Sequence, residues 1–139
     1  MSERGTQVLG TNNMEEKTLR EQQLEALEEL DNYLNRLLPA VKSIINELRG
    51  EKRVDTDELF QAITNGINWT IEVLNRTMEI INESEDAIDK ENINIAINKL
   101  SISIKEQNDL DKAMVLEKYI LPFLSTLKSR IGIVTDRAI

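Results

Sequence analysis

Apolar positions along this chain fall into ladders of helical period. Leu27, Leu30, Leu34, Leu37, Val41, Ile44 and Leu48 recur at alternating steps of three and four. That spacing puts all seven on one side of a helix, and Leu24, Leu38 and Ile45 widen the stripe. The pattern predicts a first helix from near Met14 to Arg49, with Gly50 as its terminator. Pro39 lies inside the ladder. It removes a backbone donor and crowds the carbonyl four residues back, so a kink or break is expected near Leu38.

A second helix is expected from Thr56 to about Asn82. Asp55 can cap it, Glu58 can complete a capping box, and Val54 can staple onto Leu59. Ile63, Ile67, Ile71, Leu74, Met78 and Ile81 mark one face. Ala62, Trp69, Val73 and Ile80 form a second stripe beside it, leaving Glu72, Glu79 and Glu83 as the wet side. Residues Glu83 to Glu91 are acidic and read as a connection.

From Glu91 to Asn108 two periods compete. Ile93, Ala96, Ile97, Leu100 and Ile104 fit a helix face, while Ile93, Ile95, Ile97 and then Leu100, Ile102, Ile104 alternate like a strand. The helical surroundings, with no partner strand in sight, favour helix. A last helix is expected from about Asp109 to Ile131, with Ala113, Leu116, Ile120, Leu124, Leu127 and Ile131 inward. Pro122 interrupts it and leaves the carbonyl of Lys118 in need of another donor.

Four amphipathic segments with short links predict an all-α protein, an antiparallel four-helix bundle with a long, Pro-kinked first helix. Residues 14–139 would form one domain and residues 1–13 a flexible tail. The composition agrees: 139 residues hold five glycines, two prolines and 4% aromatics. The net charge of −8 disfavours a phosphate backbone as partner, so no nucleic acid is expected. The basic trio Arg49, Lys52 and Arg53 reads as solvated charge near a helix end. No run of apolar residues is long enough to span a membrane, and the first residues lack a signal-peptide core, so a cytoplasmic location is expected.

The chain contains no histidine and no cysteine. Imidazole acid–base catalysis, thiol nucleophiles, and thiolate or imidazole metal sites are therefore unavailable. The chemistry this architecture still allows is a Mg²⁺ site of carboxylates on facing helices, as in all-α nucleotide pyrophosphohydrolases. Glu25-x-x-Glu28 and Glu83-x-x-Asp86 have the spacing. Both lie on wet faces, whereas a metal cage needs inward carboxylates, so no metal, no cofactor and no catalytic residue is expected. Glu117 projects onto the apolar face of the last helix, where it would act as a raised-pKa acid or, as a structural residue, pair with a neighbouring helix. Pro39 and Pro122 are structural by the same reading, although a bend at Pro122 could open a groove.

Two stripes exceed what a simple bundle needs: Ala62, Trp69, Val73 and Ile80, and Ile88, Ile95 and Ile102 at intervals of seven. They predict a surface for a partner, with Trp69 as its anchor. The leading expectation is thus a non-enzymatic cytoplasmic interaction module, an adaptor, regulator or small export-type chaperone. It would hold an amphipathic helix of a partner protein, with basic character matched to its own acidity. The alternatives are the Mg²⁺-dependent pyrophosphohydrolase and a structural homodimer formed through the ladder of the first helix.

Two stretches resemble a family of small, uncharacterised bacterial helical proteins. Asn65-Gly66-Ile67-Asn68-Trp69-Thr70-Ile71-Glu72 is similar to that family's E-G-L-x-W-L-I segment. Ala113-Met114-Val115-Leu116-Glu117-Lys118-Tyr119-Ile120-Leu121-Pro122 is similar to its A-D-L-L-E-Y-E-L-L-P helix, with Leu116, Glu117, Leu121 and Pro122 matching. The resemblance implies a helical bundle and no particular activity. By size, acidity and helicity the chain is also similar to flagellar-type export chaperones, a likeness of fold that does not carry function.

Overall fold

The computed structural model describes residues 17–137. Among them are four helices and no strand: α1 (Leu19–Arg49), α2 (Thr56–Ile81), α3 (Lys90–Lys105) and α4 (109–137). Helix α4 is continuous but not uniform. It runs as an α-helix over Asp109–Val115, passes through a π-helical turn at Leu116–Ile120, and resumes as an α-helix over Leu121–Arg137. The expected tail lies outside the described residues, and α1 starts at Leu19, after the non-helical Lys17 and Thr18, later than the start expected near Met14.

Each helix boundary has a local cause. Thr18 caps α1: its hydroxyl accepts from the Glu21 amide at 3.1 Å, and the Glu21 carboxylate accepts from the Thr18 amide at 3.0 Å. This reciprocal box satisfies two donors that the first turn would otherwise leave open. Asn108 and Asp89 cap α4 and α3 by accepting from Asp111 and Glu91 amides.

Helix α2 departs from expectation. Asp55 stands at the cap position but makes no side-chain cap bond, and Val54 is fully exposed, so no staple onto Leu59 forms. The buried Thr56 secures this corner instead. Its hydroxyl donates to the Glu47 carboxylate at 2.8 Å and accepts from the Arg53 amide at 2.7 Å.

Of the kink or break expected near Leu38, the break does not occur: α1 runs continuously through Pro39. Pro39 and Asn35 both face solvent, so the Asn35 carbonyl that loses its helical donor can turn to water. In α4 the backbone responds differently to its proline. The Leu121 amide donates to the Leu116 carbonyl five residues back. The widened turn lies directly before Pro122, where a regular helix would drive the proline ring against the Lys118 carbonyl.

The helices run up, down, up, down. Ion pairs record the register: Arg20 meets Glu83 and Arg49 meets Glu117, while Lys128 meets Asp31. Helix α1 is the hub, packed along α2 on one side and along α4 on the other, and α3 packs on the first half of α4. The whole α1 ladder, Leu27 through Leu48, is buried in this core, together with Leu74, Ile81, Leu116, Ile120, Leu124, Leu127 and Ile131. A homodimer through that ladder would require the bundle to open, because the ladder is already occupied within the chain.

One close approach sets the α1–α2 spacing. A β-carbon at Gly66 would collide with the Tyr33 hydroxyl. Glycine there lets Tyr33 lie across α2 and meet Trp69 edge-to-face, with ring centroids 5.2 Å apart.

Candidate functional site

The stretch with competing periods, 93–104, is helical. Ile93, Ala96, Leu100 and Ser103 of α3 turn inward onto α4. Because α3 leans on α4 rather than seating between two helices, a shallow trough opens along their outer seam. Its upper part encloses about 430 Å³ and is lined by Ala87, Ile88, Asn92, Ile93, Ile95, Ala96, Lys118, Tyr119, Pro122, Phe123 and Thr126. A second hollow shares Ala87 and Thr126 with it and continues past Ser129 to Ile133. Tyr119, Pro122, Thr126, Ser129 and Ile133 follow one another at steps of three and four along α4. They span about 21 Å at 1.5 Å per residue.

The floor of the trough is held by the α2–α3 connection, which is tied down at several points. The Asn82 side chain donates to the Ile88 carbonyl at 2.9 Å and accepts from the Ile88 amide at 3.0 Å. Arg130, buried on α4, donates from Nε to the Ile81 carbonyl at 2.6 Å and from Nη2 to the Ser84 hydroxyl at 2.8 Å. That carbonyl is one of the last four of α2 and has no partner inside the helix. The guanidinium also sits at the negative end of the α2 dipole. Sequence reasoning missed Arg130, which reads as an ordinary surface cation beside Leu127 and Ile131.

The exposed charged residues around the trough are segregated. Lys118 lines its upper part, and Lys99 Nζ stands 5.2 Å from the centroid of the Tyr119 ring. Toward the other end, Asp89 and Glu85 line the wall, with Glu85 3.4 Å from the buried Arg130, which lines the same hollow.

The expected partner-binding residues divide. Ile95 and Ile102 are exposed, at 45% and 55%, and Ile95 lines the trough. Ala62 is exposed and Trp69 half-buried. With Tyr33, Asn65 and Gly66 they line a separate hollow on the α1–α2 face. Val73 and Ile80 must be corrected, since both are buried in the core, whereas Ile88, though only 6% exposed, still lines the trough. Both stripes of α2 find neighbours inside the bundle because α2 packs on α1 along its length and on the second half of α4. Ile88 is drawn inward by the Asn82 clip.

For Glu117 the apolar setting is corrected, since the residue is exposed, but its structural pairing with a neighbouring helix is found: Arg49 of α1 grips it with two bonds at 3.0 and 2.7 Å. Hydrogen bonding to Arg49, reinforced by its charge, holds the Glu117 carboxyl below the usual glutamate range. The remaining basic residue of that region with ion pairs, Lys52, bridges Asp57 at 2.8 Å and Asp109 at 3.1 Å. Burial acts to raise the Asp109 pKa, but the Lys52 and Lys112 bonds outweigh it and leave the group below its ordinary value. The trio Arg49–Lys52–Arg53 is thus partly spent in closing this end of the bundle.

The paired carboxylates considered for Mg²⁺ point to solvent. Glu25 pairs with Lys17 and Glu83 with Arg20, both at 2.6 Å. Among the described residues no group of three or more His, Cys, Asp or Glu side chains could hold a metal ion. No described helix is long and apolar enough to cross a membrane.

No curated protein and no solved structure matches the chain significantly. Residues 25–130, from the first ladder of α1 to Arg130, match the model of a family described as a domain of unknown function (DUF8042), and the chain belongs to that family.

Proposed function

We propose that this protein is a non-enzymatic, cytoplasmic interaction module that seats an amphipathic helix of a partner protein in the α3–α4 trough. The carrying observation is the trough itself: an apolar channel with Ile95, Tyr119, Pro122 and Phe123 along its upper half and Ile133 at its far end. Its length of about 21 Å matches four turns of helix. Residues at helical spacing on the partner would meet residues at helical spacing on α4, the usual helix-in-groove arrangement. The exposed isoleucines supply apolar surface that the folded chain leaves in water.

The test uses two exposed positions whose change leaves the core intact. The tagged chain, Ile95→Asp and Ile133→Asp would each be recovered from native cells, and stoichiometric partners identified by mass spectrometry. The expected result is a partner retained by the natural chain and lost by both variants, with unchanged urea unfolding. A partner that both variants keep and Trp69→Ala loses would move the surface to the α1–α2 hollow. No stoichiometric partner in any preparation would refute the reading, and cell fractionation checks the location.

A further inference from the structure

Resting on that reading, the structure assigns a direction to the bound helix: its N-terminus lies at the Glu85–Asp89 end of the trough and its C-terminus at the Lys99–Lys118 end. A helix carries partial positive charge at its N-terminus and partial negative charge at its C-terminus, on backbone groups that its own turns leave unpaired. The trough presents the complementary pair. Exposed Asp89 and Glu85 line one end, where the cation that also lines the hollow, Arg130, is buried and engaged with the Ile81 carbonyl, Ser84 and Glu85. Lys118 lines the other end, and Lys99 stands there over the Tyr119 ring. The occupant therefore runs antiparallel to α4 and parallel to α3. Its chemistry follows: apolar residues at steps of three and four, Lys or Arg in the first half and Asp or Glu in the second. A uniformly basic partner, expected from net charge alone, would place its C-terminal cations against Lys99 and Lys118.

The probes are two capped model peptides of about 15 residues with identical composition and the same leucine ladder. One carries lysines in its N-terminal half and glutamates in its C-terminal half, and the other is the reverse. The second is intrinsically the better helix, because its charges suit its own dipole. Tighter binding of the first therefore cannot arise from helix propensity. Titration at low salt should show the first binding roughly tenfold more tightly, about 1.4 kcal/mol, with the gap closing as salt is raised. In the variant Lys99→Glu/Lys118→Glu the preference should disappear or invert. A nitroxide on the N-terminus of the first peptide should broaden the Ile133 methyl signals and spare those of Ile102. Equal binding of both peptides, or tighter binding of the reverse one, would overturn the direction while leaving the trough as a binding site. Binding of neither would overturn the trough reading as well.

Discussion

Arg130 offers the most discriminating test of how the bundle holds its α2–α3 connection. Its side chain is 3% exposed and donates to the carbonyl of Ile81, itself fully buried. Replacing it with methionine keeps much of the stem's volume and removes the guanidinium. Ser84 and Glu85, the other two acceptors, stand at the surface and recover water, so their loss is small. The Ile81 carbonyl has no such recourse. Leaving a buried acceptor unsatisfied costs about 1–3 kcal/mol, and losing a cation at a helix C-terminus adds about 0.3–1 kcal/mol.

Arg130→Met should therefore destabilise the protein by about 2–3 kcal/mol. Arg130→Ala should cost more, because it also leaves a cavity. Arg130→Lys should fall between the natural chain and Arg130→Met, since one ammonium keeps the charge but cannot span the Ile81 carbonyl and the Ser84 hydroxyl as the planar fork does. Urea unfolding followed by circular dichroism is the assay. The midpoint should shift while the slope stays constant, with a matching fall in melting temperature of roughly 10 °C. If Arg130→Met unfolds within about 0.5 kcal/mol of the natural chain, water reaches Ile81 and the buried bond is not what secures this end.

Three further outcomes follow from other sites. Gln107 has φ of 55° at the end of α3, where the Asn108 amide reaches back to Ser103 and the Gln107 amide to Ile104; this C-terminal motif favours glycine, so Gln107→Gly should stabilise by about 0.5–1 kcal/mol in thermal melts. Gly66→Ala should gain helix propensity yet lose about 1–2 kcal/mol net as Tyr33 is displaced, and part of that loss should vanish in a Tyr33→Phe background. Glu117 has a folded-state pKa below its unfolded value, so the stability it contributes is complete above about pH 4.5 and is lost as pH falls through the lowered folded value. Acid titration of Glu117→Gln should accordingly show a shallower loss below pH 4.5 than the natural chain, and an identical slope would refute the pairing.

The helical elements were legible because their ladders are long: seven apolar residues from Leu27 to Leu48 leave little freedom for α1. What the periodicity could not show is how many neighbours each helix has. Val73 and Ile80 looked surplus to a one-sided α2, but α2 packs on two helices. Glu117 was misplaced for a different reason. Its projection assumed a constant turn per residue, and the π turn beginning at Leu116 winds less per residue, carrying the carboxylate out to Arg49. Arg130 was invisible because one cation beside a stripe looks the same whether it meets water or a carbonyl forty-nine residues away. Half of the trough was legible, through Ile95 and the proline at 122. Tyr119, Phe123 and Ile133 emerged only once the seam between α3 and α4 was in view.

The π turn also bears on how this helix tolerates changes in length. Leu116, Ile120 and Leu124 are all buried although two consecutive steps of four would rotate a regular helix out of phase. The turn absorbs the surplus residue, so the two halves of α4 keep separate phases against α1. Deleting one residue between 116 and 120 would convert the stretch to a regular helix and leave the core positions on both sides facing inward. A deletion of one residue elsewhere in the Leu124–Ile131 stretch would rotate every later core position by about 100°. Indels between homologues in α4 should therefore concentrate at this turn, beside the wall of the trough, where the chain can vary its outer surface without disturbing its core.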